Sequence, residues 1–136
     1  MMKRLHLFIG LLATLAFVIT GQAMHFHKPQ LAGLPDDVHL MYVSRHIYLA
    51  AAAMVNVCLG LYLREHSSAW RRALQSLGSL MVLFSPIFLL LAFVYEPSMG
   101  MAGRSWRTSI GLIPLIVGVG LHFVASLGAR ADSTAN

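Results

Sequence analysis

The chain is 136 residues long, 57% hydrophobic and only 11% charged, a balance that a water-soluble domain of this size does not show, so lipid is the expected solvent. Its formal charge of +5 comes from lysines and arginines scattered at the ends of apolar segments, with no basic face, which argues against nucleic acid as a partner. The single cysteine, Cys58, can form no internal disulfide.

Residues 5–24 open the series of apolar segments. Lys3 and Arg4 precede the run LHLFIGLLATLAFVIT, which reads as a first transmembrane helix. The alternative is a secretory signal peptide over residues 1–23, because Gly21, Gln22 and Ala23 form a small-x-small site. The length of the run and the three apolar segments after it favour the retained helix.

Residues 25–39, HFHKPQLAGLPDDVH, carry two prolines and a glycine and read as a loop. The second helix spans residues 40–63. Its surroundings, YVSRHIYLAAAAMVNVCLGLYLRE from Tyr42, place Arg45, His46 and Asn56 inside or beside an apolar run long enough to cross a bilayer. With Tyr42 and Tyr48 as interfacial anchors, this segment is expected to be the central helix.

A link carrying Arg64, Trp70, Arg71 and Arg72 leads to a third helix over residues 73–95. Pro86 lies inside it and removes one backbone donor; Ser85 is the expected group to compensate the freed carbonyl. Glycines and a proline mark residues 96–107 as a second loop, and the fourth helix covers residues 108–127. No internal repeat or low-complexity tract appears.

The predicted fold is therefore an all-α membrane protein, one integral domain over residues 1–136 with four transmembrane helices in an up-down-up-down bundle. Lys3, Arg4, Arg64, Arg71, Arg72 and Arg130 fall on one side, against Lys28, Arg45, Arg104 and Arg107 on the other. The excess predicts the inner membrane with both termini in the cytoplasm.

Helical periodicity gathers small and polar residues on one face of each segment. The faces are His6, Gly10, Ala13, Thr20; Arg45, Ala52, Asn56, Gly60; Gly78, Ser85, Ala92, Glu96; and Gly111, Gly118, His122, Ala125. Small residues let membrane helices approach and polar ones avoid lipid, so these faces predict the bundle interior.

Two polar levels follow. Near the outer surface Arg45 and Glu96 are expected to pair, since a lone charge deep in lipid costs at least about 2.5 kcal/mol; His46, Gln22, His25 and Arg104 fall nearby. Toward the cytoplasm His6 and His122 come to similar depth with Asn56 and Ser79. If the first and fourth helices are neighbours, as in a closed bundle, two facing imidazoles suit the axial positions of a b-type haem. The plainer expectation is structural histidines, with His122 bonded to Asn56 or a carbonyl.

A third option is copper at the outer loops, on His25 and His27, with Met24, His39, Met41, Met99 and Met101 as soft or imidazole donors. Phosphate loops, zinc-protease helices and nucleophile elbows are missing, and the carboxylates form no catalytic pair. The leading expectation is a non-enzymatic accessory, assembly or interaction subunit without cofactor. Its surroundings are the lipid bilayer and a membrane-protein partner or a second copy. Membrane electron transfer by haem is the alternative and periplasmic copper handling a further one.

Overall fold

A computed structural model of the chain describes residues 1–64, 68–99 and 105–133, with side chains as far as residue 127. Its four long helices are α1 (Met2–His25), α2 (Asp36–Tyr62), α3 (Ala69–Tyr95) and α4 (Trp106–Ser133), with single 3-10 turns at Leu31–Gly33 and Pro97–Met99. All four are long and apolar enough to cross a membrane.

Three helices reach beyond their apolar cores. α2 starts at Asp36, four residues before the predicted Leu40, because the polar run DDVH already makes helical hydrogen bonds: His39 N–H donates to the Pro35 carbonyl at 3.0 Å. Asp36 and Asp37 lie in that first turn, where the helix dipole favours negative charge. α3 begins at Ala69, and Arg72 N–H closes its first turn on the Ser68 carbonyl at 3.0 Å. α4 continues past residue 127 to Ser133. Hydropathy marks where a segment is apolar, while backbone hydrogen bonding decides where the helix ends.

Close approach is set by glycines. A methyl group on Gly10 would meet the Val57 backbone at 2.8 Å, and one on Gly60 would meet the Leu7 backbone at 2.7 Å, so α1 and α2 touch through their main chains. Gly78 and Gly118 do the same for α3 and α4, each facing the other's carbonyl oxygen at 2.8 and 2.7 Å from the built Cβ position. The contact order reverses along each pair: residues 7, 10 and 21 of α1 meet 60, 57 and 46 of α2, and residues 78 and 89 of α3 meet 118 and 111 of α4.

The core lies between two polar levels. Leu49 and Ala52 of α2, Val82 and Leu89 of α3 and Leu115 of α4 form it, with Ala16 and Phe17 of α1 packed against it. Large apolar side chains such as Leu15, Met54, Phe84 and Ile116 cover the outside, each more than half exposed. Without lipid, that surface would be far larger than the apolar patches soluble monomers tolerate.

Two expectations about the arrangement are corrected. Both α2 and α3 pack against all three other helices, and α3 is the more deeply placed, with half of its apolar window buried against a third for α2, the expected centre. α1 and α4 are not packed as neighbours along their length, since α1 lies chiefly on α2 and α4 chiefly on α3. Close approach explains this: Gly10 against Val57 and Gly60 against Leu7 weld α1 to α2, Gly78 against Gly118 welds α3 to α4, and α2 and α3 join the two pairs.

Candidate functional site

One polar level is built on Glu96, the residue that ends α3 and is 2% exposed. Arg45 of α2 donates from Nε to Glu96 Oε2 at 3.0 Å, and its second terminal nitrogen lies 3.0 Å from the same oxygen. Thr108, in the first turn of α4, donates its backbone N–H to Glu96 Oε1 at 3.0 Å and its hydroxyl to Oε2. Arg45 also donates to Ser44 Oγ at 2.9 Å and Ser105 Oγ at 2.8 Å. Three helices thus meet on one carboxylate, whose oxygens are taken by charge-assisted bonds.

Thr108 and Ser105 were not singled out in the sequence, although Thr108 continues the α4 face of Gly111, Gly118 and His122 by one more turn. Arg104 lies outside the described residues. Gln22 and His25 are exposed; the His25 ring lies against Phe26. His46 turns toward α1, where Thr20 Oγ1 sits 3.0 Å from its Nδ1 and the Phe17 ring stacks on it at 4.1 Å.

The second polar level, nearer the N-terminal end of α1, is organised by Asn56, fully buried in α2. Its amide nitrogen donates to the Ala52 carbonyl at 2.9 Å and to the Val82 carbonyl of α3 at 3.2 Å. The Val82 carbonyl is the one that Pro86, four residues on, deprives of a helical donor. Sequence reasoning gave that task to Ser85; Ser85 Oγ instead donates to the Gly111 carbonyl of α4 at 2.7 Å. Ser85 faces α4 and Asn56 faces the carbonyl that Pro86 frees, a difference of helix rotation that the α3 sequence alone does not reveal.

The Asn56 side-chain oxygen lies 2.9 Å from His6 Nδ1. Because both amide hydrogens of Asn56 face carbonyl oxygens, that oxygen is an acceptor, and Nδ1 of His6 must carry the hydrogen. In the neutral ring, Nε2 then holds a lone pair. His6 is wholly buried, and Nε2 has no hydrogen-bond partner among the described residues. The His122 ring of α4 lies 6.3 Å from it, centre to centre and 72° inclined. His122 Nε2 is 3.3 Å from Ser79 Oγ.

Ser79 also lines a cavity of about 190 Å³ with Met2, Leu63, Arg72, Gln75 and Ser76 at the same end of the bundle. Gln75 shapes it by donating to the Arg64 carbonyl at 2.6 Å, tying the start of α3 to the end of α2.

His25 and His27 meet different neighbours, the His25 ring lying against Phe26. His27 uses Nδ1 on the Pro29 carbonyl at 2.8 Å and faces the Tyr42 hydroxyl with Nε2 at 3.5 Å. Met41 is buried in the bundle, Met99 is exposed and Met101 lies outside the described residues. Among the described residues no three His, Cys, Asp or Glu side chains converge as a metal site.

The chain matches no protein family, no curated protein and no solved structure. Its chemistry is therefore argued from its own residues.

Proposed function

We propose that the chain is a small multi-pass subunit of the inner membrane that acts by association, as an accessory, assembly or interaction component, and not by catalysis. The observation that carries this reading is the commitment of Glu96. It is the one carboxylate on an interior helical face among the described residues, and Arg45, the Thr108 N–H and the Thr108 hydroxyl occupy its oxygens. A carboxylate bonded in this way to groups from two other helices is used to hold those helices together.

Up-down-up-down insertion with both termini in the cytoplasm is the topology that fits this role, supported by the positive charges gathered at Lys3, Arg4, Arg64, Arg71 and Arg72. The loops at residues 26–35 and 97–105 then face the periplasm. The partner is a membrane protein or a second copy of this chain, met through the apolar outer faces. Solubilisation in mild detergent, followed by affinity capture and size analysis with crosslinking, is expected to recover a stoichiometric partner or a homo-oligomer. A monomer that carries nothing across several mild detergents overturns the reading.

A further inference from the structure

We propose that His6 and His122 form a binding site for a transition-metal centre that accepts imidazole nitrogen. The starting point is the unpartnered Nε2 of His6. A buried polar atom without a partner costs on the order of 1–3 kcal/mol, and the neighbouring groups that might have relieved it are differently engaged: Asn56 is spent on Nδ1, Ala52 and Val82, and Ser79 stands by His122.

The bond at the opposite ring atom has the form seen in metal-bound histidines, which donate their second N–H to a carbonyl or carboxylate that fixes tautomer and ring orientation. Asn56 does this for His6, itself held by two backbone carbonyls. The lone pair is thus presented in a defined direction before any ligand arrives.

The ring spacing is compatible with such a centre and equally with an edge-to-face ring contact. A metal about 2.0–2.1 Å from each imidazole nitrogen holds two ring centres roughly 6 Å apart when they bind from opposite sides. The observed separation is 6.3 Å. A direct hydrogen bond between two ring nitrogens along their common axis would draw the centres about 1 Å closer. The rings belong to helices that are not packed along their length, so the gap between them is not closed by a glycine contact of the kind that welds α1 to α2 and α3 to α4.

Imidazole suits iron, copper, zinc and nickel. The remaining ligands must come from elsewhere, because no third His, Cys, Asp or Glu joins the pair among the described residues. The two sources of such a centre are the iron of a haem, whose porphyrin brings its own nitrogens, and a bare ion completed by water. A cavity of about 190 Å³ lies beside Ser79, the neighbour of His122. It is smaller than the 300–1,000 Å³ or so typical of organic ligand pockets, so haem would require α1 and α4 to part, and a bare ion would not.

The test uses the full chain in detergent, purified from cells grown with added haem precursor and, separately, loaded with copper, zinc or iron and desalted. A Soret band identifies haem; retained metal near one per chain without that band identifies a bare ion. Either result is lost in His6→Ala and in His122→Ala and kept in His25→Ala/His27→Ala. Helical circular dichroism and elution volume establish that each variant folds, and His6→Gln supplies a second variant of similar bulk. Wild-type protein that binds neither haem nor metal overturns the proposal, as does binding that survives loss of both His6 and His122. The partner-capture experiment is separate, so failure of one leaves the other standing.

Discussion

Asn56 of α2 donates its amide to the Val82 carbonyl of α3, the group that Pro86 leaves without a helical partner. A polar side chain on one membrane helix thereby repairs a break in another. Each alone would be a liability in lipid: an amide among hydrocarbon, and a carbonyl without a donor. Their pairing turns the proline into a point of attachment between the hairpins.

Asn56→Leu should lower stability by about 1–3 kcal/mol, because it strips the Val82 carbonyl and His6 Nδ1 together. The same change in a Pro86→Leu background should cost less, since replacing the proline restores the backbone N–H that the Val82 carbonyl needs. Unfolding in mixed micelles of mild detergent and dodecyl sulfate measures both, with a coupling of about 1 kcal/mol expected. Strict additivity would mean that the bond to Val82 contributes nothing.

Arg45→Met and Glu96→Met should each destabilise by about 3 kcal/mol, for each leaves one charge buried without its counter-ion. The double variant should recover part of that loss, as two apolar side chains need no partner. The same unfolding assay decides it: a double variant no more stable than the worse single one would count against a direct pair.

Glycine substitutions should separate by what faces them. Gly78→Ala places a methyl 2.8 Å from the Gly118 carbonyl oxygen, and relieving this clash should cost about 1–3 kcal/mol by moving α3 from α4. Gly120, on the same helix as Gly118, has nothing within 4 Å of its Cβ direction. Gly120→Ala should be neutral or should raise stability by up to about 1 kcal/mol through helix propensity.

Topology is open to labelling. In a Cys58→Ser background, needed because Cys58 is exposed on α2, cysteines placed at Ala32 and Ser98 should react with an impermeant maleimide in intact cells. A cysteine at Lys3 should react only after the membrane is opened. Labelling of Lys3→Cys from outside reverses the orientation. N-terminal sequencing of the same preparation tests whether α1 is kept: a chain starting at Met24 would remove His6 and α1 together.

Much of the site was legible because helical periodicity maps sequence onto a face. His6, Gly10, Ala13 and Thr20 were grouped by angle alone, and these are the buried residues of α1. The same grouping on α2, Arg45, Ala52, Asn56 and Gly60, is buried too. Partners were harder. Ser85 and Asn56 both faced inward, yet which of them met the proline-freed carbonyl depended on the rotation of α3 against α2 and α4. Thr108 escaped notice because a threonine at a helix start reads as an ordinary boundary residue until Glu96 is seen above it.

What the sequence determined by itself is the number and extent of the apolar spans and the face each turns inward, because length and period are properties of one helix. The tertiary structure decided that α3 is more deeply buried than α2, that Asn56 bonds His6, and that α1 and α4 meet at two imidazole rings without packing along their length. Those outcomes depend on relative depth and rotation between helices. Glycine contacts and shared hydrogen bonds fix both, and neither is written in any single segment.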